Sequence, residues 1–356
     1  MERMDVEQVL LTRPEHVQYL TGFRPHRLMS AAAILGRDGR CTLVAPNQAP
    51  DTVTADDVLV FPAQFRATLR QDQLRAIGEA IEASQVVRAT SSSRRFRIGI
   101  EYSQAAEYPR QAVASGKQVE WIDVESELWN LRRRKDHDEL VLIRRAIDCT
   151  HSMYQRAREI LRPGLSELEV YSALHAAAVE QAGEPLLDLG NDFQCNSPGG
   201  PPRSRRVGAG ELYILDLGVC YRGYYSDNCR TFAVGQPTDL QLQAWEAVVA
   251  ALEMVERTVR PGVRCRDLFR DAQAMLDAVR PNAFFHHLGH GIGLYPHEAP
   301  HLNPHWDDAF QEGEVFTAEP GLYWPELRAG IRIEDDYLVT AQGVERLSNF
   351  PREFMA

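Results

Sequence analysis

Along the first third of the chain, short apolar runs alternate with polar turns. Residues 31–35 and 41–45 are apolar stretches on either side of Gly36-Arg-Asp-Gly39, which predicts a β-hairpin. Residues 97–100 and 118–121 read as further strands, with a helix near 105–114 between them. From Asp136 the period changes. Asp136 stands as an N-cap with Glu139 three residues on, a capping-box pair, and Leu140, Ile143, Ala146 and Ile147 then recur at helical spacing. This places a domain boundary near residue 130, with an α/β unit over 1–130 and a second domain over 131–356.

Beyond the boundary the pattern echoes itself. Ile-Leu-Arg-Pro-Gly at 160–164 breaks one helix, and Ser166, with Glu169 at the capping-box position, starts another. Thr-Val-Arg-Pro-Gly at 258–262 is likewise followed by a helical pattern over 267–279. A strand-rich stretch follows each time. The echo predicts two similar α+β halves about a pseudo-twofold, with a cleft between them.

Composition narrows the function. The 356 residues are 44% apolar and 25% charged, the mix of an ordered globular chain. No apolar run approaches the roughly 18 residues of a membrane-spanning helix. The opening MERMDVEQVL carries acids where a signal peptide needs bases, and six scattered cysteines suit a reducing cytosol, so a cytoplasmic location is expected. The formal charge of −11 disfavours nucleic acid. The basic runs 132–135 and 203–206 read as solvated charge.

The chemistry begins at 212–227. An apolar strand runs into Asp216, a turn occupies 221–223, and a second strand returns through Asp227. Pairing about the Tyr221–Arg222 midpoint sets Asp216 directly opposite Asp227, and two carboxylates so placed in an apolar setting require a cation. Glu319 ends the strand-like 315–319, stopped by Pro320, and alternation over 330–340 sets Arg332 and Glu334 on one face, with Ile331 and Ile333 on the other. The stretch 284–297 holds four of the eleven histidines, with Gly289, Gly291 and Gly293 permitting close backbone approach. It follows no βαβ pattern, which argues against a dinucleotide loop. Four acids and a histidine suit two divalent cations. Oxygen-rich ligation favours Mn²⁺ and leaves Zn²⁺, Co²⁺ and Fe²⁺ open.

Asp216 and Asp227, His290, Glu319 in Glu-Pro-Gly-Leu-Tyr and Glu334 in Gly-Ile-Arg-Ile-Glu-Asp together resemble the pita-bread metallopeptidases, nearest the Xaa-Pro branch of prolidase and aminopeptidase P. Tyr19-Leu-Thr-Gly-Phe23 is similar to the start of that family's creatinase-type N-terminal domain, and 139–146 to the opening helix of its catalytic domain. The resemblance implies an α+β fold: a pita-bread catalytic domain behind a smaller α/β domain. It implies two divalent metal ions, held by Asp216 and Asp227 on one side and His290 and Glu319 on the other, with Asp227 and Glu334 bridging. It implies cleavage of the Xaa-Pro bond at the N-terminus of dipeptides or short peptides by a metal-bridging hydroxide, with Glu319 shuttling the proton. His297 and His286 match histidines that contact substrate, Tyr323 a hydrogen-bond donor, and Arg332 a holder of an acid or a substrate carboxylate. A homodimer is implied as well.

One departure stands out. Active members of the family carry a further histidine about seventeen residues before the first ligand. Here Gly199 falls at that position, and the sequence has no histidine between His175 and His286. Arg203, Arg205 and Arg206 are the neighbouring groups that could substitute. The departure keeps two alternatives open: a pita-bread hydrolase or lyase acting on a small non-peptide metabolite, and a non-catalytic binding protein.

Overall fold

The computed structural model describes residues 1–84 and 95–355. It divides into two compact units, Met1–Leu131 and Arg132–Ala356.

The first unit is built on a six-stranded mixed sheet with strand order Asp57–Phe61, Cys41–Pro46, Ala32–Gly36, Gln8–Leu11, Phe96–Ile100 and Val119–Asp123. The hairpin predicted around Gly36 to Gly39 is present, with Ala32–Gly36 antiparallel to Cys41–Pro46. Alternation divides these strands between two cores. Leu10 and Val44 pack with Ile77 and Ile81 of helix α2 (Gln73–Ala83), whereas Leu11 and Leu43 pack with Val17 of α1 (Pro14–Thr21) on the other face. Helix α3 (Glu107–Ala114) occupies the predicted position, and α4 (Glu125–Arg133) follows the last strand.

In the second unit the capping signals form as read. Asp136 accepts from the backbone N–H of Glu139 while the Glu139 carboxylate accepts from that of Asp136, which starts α5 (His137–Ile160); Ser166 and Glu169 do the same for α6 (Glu167–Ala182). These helices pack on a three-stranded antiparallel sheet, Asp192–Cys195, Leu212–Leu217 and Asn228–Ala233, through Met153, Tyr154, Leu174, Tyr213, Leu215 and Phe232. The second half repeats the arrangement. Helices α7 (Asp239–Thr258) and α8 (Cys265–Asp277) pack through Val248, Leu252 and Leu268 against Phe316 and Tyr337 of a five-stranded antiparallel sheet. The halves meet where Cys229 and Glu334 exchange backbone hydrogen bonds of 2.9 and 3.3 Å.

Two expectations need correction. In the hairpin, Cys220 pairs with Tyr225 and Tyr221 with Tyr224, so Asp216 lies opposite Cys229, not Asp227. The turn centres on Arg222 and Gly223, at φ 47° and 92°. Of the tight two-residue turns, type I′ needs positive φ at both central positions, as here, and Gly223 supplies one at little cost. Asp227 therefore sits diagonally from Asp216, still on the same face. The run 132–135 is not solvated as a whole: Arg132, Arg133 and Lys135 are buried, Arg132 and Lys135 on Glu298, and Arg133 on Glu314 and Asp308. Among the described residues, no helix is long and apolar enough to cross a membrane.

Candidate metal centre

Side-chain alternation delivers acids to the seam between the halves. In Leu212–Leu217, Tyr213, Leu215 and Leu217 face the core under α5 and α6, so Asp216 points the other way. Phe316 and Ala318 face α7 and α8, which leaves Thr317 and Glu319 toward the seam; Ile331 and Ile333 do the same for Arg332 and Glu334. His290 centres the short strand Gly289–Gly291. That strand is glycine on both sides of the histidine because backbone crowds it: a Cβ at 289 would lie 2.0 Å from the Thr317 carbonyl oxygen, and one at 291 would lie 2.1 Å from that of Ala299.

Asp216, Asp227, His290, Glu319 and Glu334 are all buried. One ligand atom each from Asp216, Asp227 and Glu334 lies within 4.8 Å of the others, and the same holds for His290, Glu319 and Glu334. The two sets share Glu334. His290 Nδ1 is engaged by the Gly291 carbonyl at 3.1 Å, which leaves Nε2 facing Asp227 at 3.9 Å and Glu319 at 3.7 Å.

The donor set fits divalent cations. Asp216 Oδ1, Asp227 Oδ1 and Glu334 Oε1 are buried with no hydrogen-bond partner among the described residues. Burial, reinforced by neighbouring carboxylates, drives Asp227 and Glu334 well above the usual range. Burial also lifts Asp216 to about 6 against the pull of Arg332. Burial lowers His290 to about 3, so its imidazole is neutral and able to ligate. Three carboxylates held this close, with only Asp216 paired to Arg332, are costly to ionise together, and a cation relieves that cost.

Around this set, Arg332 Nη2 donates to Asp216 Oδ2 at 2.7 Å and also to Asp192, while Nη1 donates to the Tyr323 hydroxyl at 3.1 Å. That hydroxyl lies 3.1 Å from His286 Nε2, and His286 Nδ1 lies 2.8 Å from the His287 carbonyl oxygen. Nδ1 of His286 is then the protonated nitrogen, and Tyr323 donates to Nε2. His297 stacks on His290 with ring centroids 3.7 Å apart.

Two residues of the site went unnamed in the sequence reading. His287 places Nε2 2.6 Å from Glu319 Oε1. Burial opposes the charges on both groups, yet this bond wins: His287 is raised and Glu319 is lowered to about 2. The signal was the histidine-rich run itself, which does not say which member of the His286–His287 doublet faces the acids. The second is Asp192. A Cβ at Gly199 would lie 2.5 Å from Asp192 Oδ2, so this carboxylate occupies the space a side chain at 199 would enter. The loop arginines do not substitute there. Arg203 is bound to Glu167, Arg205 to Glu211, and Arg206 to the Gly164 carbonyl.

Residues 141–341 match the model of metallopeptidase family M24, and residues 1–134 match that of the creatinase/prolidase N-terminal domain. The Xaa-Pro dipeptidase of Pyrococcus horikoshii is 26% identical over all of this chain and 96% of its own length. The structure of the prolidase from Pyrococcus furiosus superposes with a TM-score of 0.79 at 26% identity, covering 99% of both chains. That of the X-Pro aminopeptidase from Thermotoga maritima gives a TM-score of 0.80 at 22% identity, over 99% of this chain and 98% of its own, and shares the fold. With more than half of its residues matched by one family model, and a cation-fitting set of acids and a histidine at the seam of a pita-bread fold, the chain belongs to metallopeptidase family M24.

Proposed function

We propose that the chain is a dinuclear-metal Xaa-Pro peptidase, with residues 131–356 as its catalytic domain, removing the residue ahead of proline from dipeptides or short peptides. The observation that carries this reading is the pair of ligand sets sharing Glu334, with three buried carboxylate oxygens left without partners. The names of the relatives, a dipeptidase, a prolidase and an aminopeptidase, support the substrate class. Asp216 and Asp227 would hold one ion and His290 and Glu319 the other, with Asp227 and Glu334 shared. Bound there, two divalent ions, Mn²⁺ for so oxygen-rich a set, supply Lewis acidity: water made nucleophilic at neutral pH and a polarised scissile carbonyl.

The chain's own groups do the rest. Glu319 has Oε1 tied to His287, and its carboxylate accepts the water proton and returns it to the leaving proline nitrogen. His297 and His286 line the cleft and donate to the substrate, His286 through the Nδ1 proton once it is released from the His287 carbonyl. Tyr323 fixes His286 and Arg332 fixes Asp216, which keeps these groups in place before the substrate arrives. A homodimer in the cytoplasm belongs to the same reading.

The test is release of free proline, or of an N-terminal residue ahead of proline, by the Mn²⁺-loaded protein across a panel of Xaa-Pro dipeptides and Xaa-Pro-Xaa peptides. No turnover on any member would sink it. Asp192 in the space beside Gly199 favours one second reading, a small non-peptide substrate. Turnover of a metabolite library by protein inert toward the peptides would select that reading. Fewer than one ion per chain in protein purified without chelator would point to a binding role instead.

A further inference from the structure

Building on the two-metal reading, we propose that His287 is a positioning residue for Glu319: its imidazole donates to Glu319 Oε1 and orients that carboxylate toward the cation. The contact is 2.6 Å from Nε2, and the same oxygen stands 3.7 Å from His290 Nε2. A carboxylate oxygen has two lone-pair directions. On Oε1 one goes to His287, and the other is left toward the ligand set. Glu319 Oε1 thus has a partner, while Asp216, Asp227 and Glu334 each keep one buried oxygen with none among the described residues. The arrangement parallels the opposite side of the centre, where Arg332 takes one oxygen of Asp216 and leaves the other unpartnered.

The chain is built to hold His287 there. The backbone N–H of Glu319 donates to the Leu288 carbonyl at 2.8 Å, so the segments carrying the two side chains are fastened one residue from the contact. The ring meets three other imidazoles edge-on, with centroids 6.0 Å to His286, 5.4 Å to His290 and 5.6 Å to His297. Hydrogen bonds of this kind to a ligating group set its orientation, and losing one typically costs about 10–100-fold in metal affinity or activity.

The experiment uses full-length protein stripped of metal and titrated with Co²⁺ alone, followed by its visible absorption and by calorimetry. In H287A one of two Co²⁺ ions is expected to bind about 10–100-fold more weakly, with an altered d–d spectrum. H287Q, whose amide nitrogen keeps a donor near the Nε2 position, is expected to recover most of the affinity. On the best Xaa-Pro substrate, H287A lowers kcat with KM little changed. If H287A fails to fold by circular dichroism, H287N, whose shorter amide stops short of Oε1, takes its place. Binding of both ions within twofold of wild type, with an unaltered spectrum, overturns the proposal, as does failure of H287Q to differ from H287A. Wild-type protein that binds two Co²⁺ yet cleaves no Xaa-Pro peptide overturns the substrate reading and leaves this test standing. Wild type that binds none overturns both.

Discussion

At Arg332 one guanidinium serves Asp216, Asp192 and Tyr323 together, and through Tyr323 it reaches His286. Taking it away strands the buried Asp216 and strips the half-buried Asp192 of its charged partner, and replacing it by lysine leaves one point charge where a planar fork spans several acceptors. Arg332→Lys is therefore expected to behave much like Arg332→Ala. Both should weaken Mn²⁺ binding at the Asp216 side about 10–100-fold in calorimetric titration. A lysine variant with wild-type affinity would show that charge alone suffices. Residue type and position along the chain single out the four acids among the five proposed ligands, because acids set in apolar strand-like runs have few other uses. The same logic does not reach Asp192. It acts only because Arg332, 140 residues away in sequence, and the backbone N–H of Gly200 both turn toward it.

Among the elements, the helix starts at Asp136 and Ser166 could be read because a capping box is local, four residues with a fixed hydrogen-bond pattern. The register of the 212–233 hairpin could not be read by counting, because it depends on which residues accept positive φ in the turn. The buried bases at 132–135 went unrecognised for a related reason: their partners Glu298, Asp308 and Glu314 lie more than 160 residues on. Register matters most at Gly218, between the two aspartates of the hairpin. A Cβ there would fall 2.2 Å from the Ser226 carbonyl oxygen, a backbone atom that cannot swing aside. Gly218→Ala should push these strands apart and separate Asp216 from Asp227. A loss of about 1–3 kcal/mol is expected in urea unfolding, with weaker Mn²⁺ binding. Unchanged metal binding would mean that the aspartates tolerate the displacement.

For the whole catalytic unit, the first half contributes Asp216 and Asp227 and the second contributes His290, Glu319 and Glu334, so the centre forms only when both halves are folded. Binding a cation is then linked to folding. Without one, Asp216 at about 6, and Asp227 and Glu334 pushed well above the usual range by burial, exceed the roughly 4 of an unfolded carboxylate. The folded metal-free unit thus holds protons that the unfolded chain has shed. Stability from these groups is full below about pH 4 and is lost as pH rises through their folded values. A divalent ion reverses the balance, since it displaces those protons and binds better once they have gone. His290, lowered to about 3, has no proton to give up in this range. The gain in melting temperature on adding Mn²⁺ to chelator-treated protein should therefore be larger at pH 8 than at pH 5.5. At a hundredfold excess over Kd each site should contribute about 2.7 kcal/mol. Comparing loaded with stripped protein at each pH cancels groups far from the centre. Glu319 and Glu211, both lowered to about 2, act only below about pH 4.5. Glu334→Gln removes the acid shared by both sets and should abolish most of the gain at either pH. A gain equal at the two pH values, or one surviving in Glu334→Gln, would mean that the cation binds somewhere other than these acids.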